Sequence, residues 1–196
     1  MSAIIAIVGR PNVGKSTLFN RITHTRNALV ADRPGVTRDR QYAYVNRHEK
    51  NFVLVDTGGL EREEKLELSI NNRVSDQALL AIDEADAVIW LVDGRGGLST
   101  ADELLAGQLR PLCQNLYLVV NKTEGLNLAL ACADFHALGV GDPLPISAER
   151  GDGVSALLNE IINKLPESES ESEISDDGLR IGIIGRPNVG KSTLVN

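Results

Sequence analysis

Cysteine is scarce in this chain, and so are histidine, clustered positive charge and long apolar runs; each shortage closes off a class of function. The only cysteines, Cys113 and Cys132, have the spacing of neither a CxxC redox pair nor a zinc knuckle, so two reduced, partly packed thiols are expected. His24, His48 and His136 are scattered without metal-site spacing and read as surface or loop residues. Net charge is −7, but six acidic groups and no basic one lie in "ESESESEISDDG", residues 167–178. Without that stretch the charge is about −1, so the rest carries no mark of direct nucleic-acid binding. No apolar run approaches the ~20 residues needed to span a bilayer. Residues 1–8 are apolar but lack the basic front and cleavage site of a secretory signal. A soluble, cytoplasmic chain without a membrane partner is expected.

What the chain does have is a repeat. The twelve residues from Gly9, "GRPNVGKSTLFN", return from Gly185 with one change, Phe19 against Val195. The offset of 176 residues is far beyond the period of about 20–50 residues of a solenoid and suits complete domains in tandem. With 196 residues and 42% apolar content, the chain can bury one good core and hardly two. Residues 1–166 are therefore expected to form one domain and 167–178 an acidic Ser/Glu linker. Residues 179–196 read as the truncated start of a second domain, comprising a strand, a glycine-rich loop and a first helical turn around Gly185, Gly190, Lys191 and Ser192.

Short β-branched runs at 3–8, 52–56, 87–93, 116–120 and 143–147, with the alternating "QYAYVNR" at 41–47, read as six strands. Helical spacing lies between them: Val74, Ala78, Ile82 and Ala85; then Leu104, Leu105 and Leu109; and most clearly Leu157, Leu158, Ile161, Ile162 and Leu165. Strands alternating with helices predict an α/β fold, a mainly parallel six-stranded sheet covered on both faces. Ligands in such folds sit at the carboxyl ends of the strands, and the polar motifs fall there.

Gly9-Arg10-Pro11-Asn12-Val13-Gly14-Lys15-Ser16 fits G-x-x-x-x-G-K-S/T between a strand and a helix. Its backbone N–H groups and the following helix dipole suit phosphate oxygens. Lys15 would reach the β- and γ-phosphates, and Ser16 would hold Mg²⁺. Asp56-Thr57-Gly58-Gly59 closes another strand; Asp56 can bind Mg²⁺ through water and the Gly59 N–H can meet a γ-phosphate, although a D-x-x-G alone is also an ordinary polar turn. Asn121-Lys122-Thr123-Glu124 and Ser147-Ala148-Glu149 follow two further strands. An amide, a Lys stem for stacking and a carboxylate for ring N–H donors suit guanine better than adenine, with the Ala148 N–H aimed at the guanine O6.

In this order, with "PGVTRDR" after the first loop, these motifs resemble the translation-factor-related GTPases with a Ras-like G domain. More narrowly they resemble the tandem G-domain GTPases of the EngA (Der) type, the second GRPNVGKST after an acidic linker being the most specific point of likeness. The resemblance covers residues 1–166 as a whole G domain and 179–196 as the start of another. It implies hydrolysis of GTP to GDP coupled to assembly of the large ribosomal subunit, through parts not present here. It also implies that Thr37 closes on Mg²⁺ and γ-phosphate, that a segment of about 27–40 is ordered only with GTP, and that Thr17 touches the α-phosphate. Asn12 would help bind K⁺ where an arginine finger would otherwise sit, or it serves simply as a turn-former after Pro11. Arg38 and Arg40 acting in cis are another route. Lys15, Asn12, Thr37 and Gly59 are thus the expected catalytic set.

Two positions depart from the family pattern. Leu60 replaces the Gln that orients water in Ras-type enzymes, and Glu124 stands where an Asp is usual, which predicts retained guanine preference at reduced affinity. A slow, K⁺-stimulated GTPase is the leading expectation. A nucleotide sensor with negligible hydrolysis is the alternative, and a P-loop ATPase is disfavoured by the two guanine-type loops.

Overall fold

The computed structural model describes residues 2–24, 28–31, 41–47, 50–57 and 76–165. Along the chain run β1 (Ala3–Val8), α1 (Lys15–Thr23), β2 (Ala28–Ala31), β3 (Gln41–Arg47), β4 (Lys50–Asp56), α2 (Asp76–Asp83) and β5 (Ala87–Asp93). Then come α3 (Thr100–Leu112), β6 (Leu116–Asn121), α4 (Leu128–Ala133), a 3-10 turn (Asp134–Leu138), β7 (Leu144–Pro145) and α5 (Val154–Lys164). The strands form one sheet in the order β2-β3-β4-β1-β5-β6-β7. β4, β1, β5, β6 and β7 are mutually parallel, whereas β3 is antiparallel to β4 and β2 antiparallel to β3.

The six expected strands are all present, and a seventh, β2, pairs Ala28–Ala31 with Val45 to Tyr42 of β3. β2 belongs to the segment of about 27–40 that the family resemblance ties to GTP; residues 27 and 32–40 lie outside the described residues. So do 166–196, with the acidic linker and the second glycine-rich loop.

Side chains alternate across a strand, and β1 shows what that does here. Ile5 and Ile7 face one core with Leu18 and Phe19 of α1 and Leu157 and Ile161 of α5. Ala6 and Val8 face another with Ile82 of α2, Leu109 of α3 and Phe135 of the 3-10 turn. Trp90, in the same second core, is fully buried. At roughly 25 cal/mol per Å² of apolar surface removed from water, these two layers hold the sheet rigid between its helices.

All five periodic residues of the last helical stretch are buried, while Leu104 is 48% exposed. The reason is angular: at about 100° per residue, Leu104 lies far around the helix from Leu109, and α3 buries the Ala106–Leu109 side. In α2, Ala78 and Ile82 are buried; Ala85 follows the helix, and Val74 lies outside the described residues.

Candidate nucleotide site

Five parallel strands end on the same edge of the sheet, and the polar motifs gather there. The chain leaves β1 at Gly9 and enters α1 at Lys15. A Cβ on Gly9 would meet the Leu91 carbonyl oxygen at 2.3 Å, and one on Gly14, whose φ is 103°, would meet Asn121 Nδ2 at 2.4 Å. Both motif glycines are therefore required by space as well as by conformation. Asn12 takes a left-handed φ of 64°, which asparagine tolerates better than most residues.

Within this loop the Lys15 side chain is buried and its Nζ donates to the carbonyls of Gly9 (2.6 Å) and Arg10 (2.8 Å). A fixed positive charge is thus held inside a turn of backbone that leads into a helix N-terminus, the arrangement that attracts phosphate. Ser16 and Thr17 are exposed in the first turn of α1. Pro11 and Asn12 are exposed at the loop tip, and Val13 is buried beneath it.

β4 pairs with β1 so that Asp56 lies opposite Ile7, two residues before Gly9. Asp56 is buried at the strand end. The next residue, Thr57, donates its hydroxyl to the Ile7 carbonyl at 2.8 Å, fixing the start of that loop. Gly58, Gly59 and Leu60 lie outside the described residues, as does Thr37.

The two loops expected to read a base are tied directly to the loop expected to hold phosphate. Asn121, buried at the end of β6, donates Nδ2 to the Val13 carbonyl (2.8 Å) and accepts the Ala148 N–H on Oδ1 (2.9 Å). The Ala148 amide, expected to reach a guanine O6, is committed to this strut instead. Lys122, also left-handed at φ 64°, stretches across to the Asn12 carbonyl (2.7 Å) and Asp93 Oδ2 (2.6 Å). Thr123 donates its hydroxyl to the Ile146 carbonyl at 2.9 Å, joining the loop to the residue before Ser147. Arg21 of α1 closes the far side: its Nε donates to the Ala148 carbonyl at 3.0 Å and its Nη2 to the Glu149 carbonyl. Ser147 is buried, with its hydroxyl accepting the Arg150 N–H at 3.2 Å, while Glu149 is exposed.

Four participants have no place among the expected site residues. Asp93 anchors Lys122 and caps the next turn through the amides of Arg95 (2.9 Å) and Gly96 (3.1 Å). Burial pushes the Asp93 carboxyl up, but Lys122 and those two amides outweigh it and hold it below its ordinary value. Arg95 pairs with Glu124, and Asp102 of α3 accepts Arg10 Nε at 2.7 Å. Arg21 is the fourth. Asp93 had a readable signal, because it closes "AVIWLVD" as Asp56 closes "FVLVD".

The Glu124 carboxyl titrates below the usual range, chiefly through its own backbone N–H and the Ser147 hydroxyl and further through Arg95 and Arg150. These donors bias its charge, yet none makes a formed hydrogen bond to Oε2, which is buried without one.

A divalent ion would find the Ser16 hydroxyl and the Asp56 carboxylate here. Among the described residues no group of three or more His, Cys, Asp or Glu side chains gathers. One hydroxyl and one carboxylate fit an ion that keeps waters and takes its remaining ligands from phosphate oxygens, as Mg²⁺ does. No helix among the described residues is long and apolar enough to cross a membrane.

Comparison with known proteins agrees with this geometry. A family model described as "50S ribosome-binding GTPase" matches residues 4–122 and 180–196. GTPase Der of Marinomonas sp. (strain MWYL1) is 50% identical over 200 residues, covering 100% of this chain and 44% of the relative. GTPase Der of Nitrosococcus oceani is 53% identical over 197 residues, 100% of this chain and 42% of the relative. The chain thus spans less than half the length of these relatives. The crystal structure of a single-residue variant of Aquifex aeolicus Era bound to GDP·AlF4⁻ aligns at a TM-score of 0.67 and 27% identity, over 86% of this chain and 59% of that one. A glycine-rich loop strapped to the ends of β6 and β7, on a sheet with these relatives, leads to one assignment: the chain belongs to the family of 50S ribosome-binding GTPases.

Proposed function

We propose that this chain binds GTP with Mg²⁺ and hydrolyses it to GDP, serving as a switch in assembly of the large ribosomal subunit in the cytoplasm. The observation that carries the reading is the Asn121 strut. One buried carboxamide sets the spacing between the loop suited to phosphates and the loop suited to a purine, through bonds of 2.8 and 2.9 Å. A site built to that spacing measures a nucleotide from base to phosphate.

In this reading Lys15 and the amides from Gly9 to Ser16 grip the β- and γ-phosphates, and Thr17 meets the α-phosphate. Ser16 and Asp56, with Thr37, hold Mg²⁺, which neutralises phosphate charge when bound. Gly59 offers its amide to the γ-phosphate. Asn12, exposed at the loop tip, is available to a K⁺ ion in the position where an arginine finger would contribute about 10³–10⁵ in rate. Lys122 lays its stem beside the base, and Glu124, Ser147 and Glu149 form the rim that reads it. The ribosomal partner is supported by the family description.

Replacing Lys15 by Ala tests the reading. Retention of labelled GTP and GDP is expected to fall by about two orders of magnitude or more; unchanged retention would end it. A second reading, a GTP/GDP sensor with negligible turnover, is favoured by Leu60 in the water-orienting position. Phosphate release in K⁺ and then in Na⁺ separates the two, since a sensor shows none in either.

A further inference from the structure

Glu124 is one methylene longer than the aspartate usual at its position. That adds a rotatable bond whose freedom must be lost before the carboxylate can read a base. The structure shows what removes it. Arg95, on the turn after β5, donates to Glu124 Oε1 at 2.8 Å and to the Glu124 carbonyl at 3.2 Å, and its Nε donates to the Lys122 carbonyl at 3.3 Å. The turn itself is held by Asp93 Oδ1, which accepts the amides of Arg95 and Gly96, while Asp93 Oδ2 takes Lys122.

An exposed ion pair is ordinarily worth little, but this one is lopsided. Arg95 is 56% exposed, whereas the Glu124 side chain is only 10% exposed. Its second oxygen, Oε2, is enclosed by protein, so the carboxylate turns little once Arg95 holds Oε1.

We propose that Arg95 is a positioning residue for base recognition, gripping Oε1 and the carbonyl of Glu124 so that the carboxylate is held in advance as the acceptor for a guanine ring N–H. This rests on the guanine-nucleotide reading given above. The arrangement replaces the shorter side chain of the family pattern by a longer one whose extra freedom is already spent, and preorganisation of this kind raises affinity without any new ligand contact.

The test is a double-mutant cycle on the full chain with fluorescent GDP and ADP. Arg95→Ala is expected to weaken GDP by about tenfold, in the range of one hydrogen bond to a charged group. ADP, which relies on the phosphate loop, should be unchanged, and Arg95→Lys should recover part of the GDP affinity. In a Glu124→Ala background, Arg95→Ala should change GDP affinity less than about twofold. Wild-type GDP affinity in Arg95→Ala, tighter GDP binding, or equal weakening of GDP and ADP would each overturn the proposal while leaving the guanine reading intact. A wild-type chain that binds ADP as well as GDP overturns the guanine reading itself.

Discussion

Arg10 donates its Nε to Asp102 Oδ1 at 2.7 Å, so the phosphate loop is fastened to the first turn of α3 by a carboxylate that solvent does not reach. The same carboxylate accepts the Ser99 N–H (3.1 Å) and hydroxyl (2.8 Å) on its other oxygen, completing a capping box. One side chain therefore starts a helix and steadies a binding loop.

Asp102→Ala should be among the most damaging single changes outside the phosphate loop. It removes the cap partner and strands the Arg10 charge, at a cost of about 3 kcal/mol. A fall in the urea midpoint at unchanged m-value measures it; a loss below ~0.5 kcal/mol would contradict the bond network.

Two glycine replacements separate strain from collision. Gly14→Ala places a methyl 2.4 Å from Asn121 Nδ2, pushing the strut off both loops. GDP retention should fall by about a hundredfold or more. Gly141, at φ +105° with nothing within 4 Å of its notional Cβ, is expected to cost about 1–2 kcal/mol when changed to Ala and to leave GDP binding at its wild-type value.

Asp93 sets an acid limit. Its carboxyl titrates below the ordinary 3.8 because Lys122 and the Gly96 and Arg95 amides outweigh burial. A carboxylate lowered on folding stabilises fully above its unfolded value and loses that contribution as pH falls through the folded one. Denaturant midpoints measured from neutral to strongly acidic pH should thus show a loss confined to the region below about 4 that is absent from Asp93→Asn.

Cys113 should be sluggish. Burial pushes its thiol up from the ordinary 9.0 to about 11, which lowers the thiolate fraction near neutrality about a hundredfold. Iodoacetamide labelling at mildly alkaline pH, followed by peptide mass, should show Cys113 reacting slower than glutathione by about that factor.

The fold was legible wherever a short stretch carried its own pattern. β1 and β5 begin and end at the residues their apolar runs suggest, because a strand buried on both faces has no polar position to blur it. β3 was as plain through its alternation. β2 was not legible: "ALVA" is four residues long, and only pairing with β3 makes it a strand. The site divides in the same way. Local motifs announce Lys15, Asp56 and Asn121, whereas Arg10 and Asp102 stand 92 residues apart, and Arg21 meets the Ala148 carbonyl across 127. Such pairs depend on which strands end side by side. Sequence also placed the Ala148 amide toward the base, not knowing that a carboxamide within reach would claim it first.

That claim has a spectroscopic consequence. The Ala148 proton lies in a bond whose acceptor belongs to the same carboxamide that holds the Val13 carbonyl. Disturbance at either end of a docked nucleotide travels no more than one side chain to reach it. Its chemical shift and its exchange with deuterium should consequently register events at the phosphates and at the base alike, making one resonance a gauge for the whole cleft.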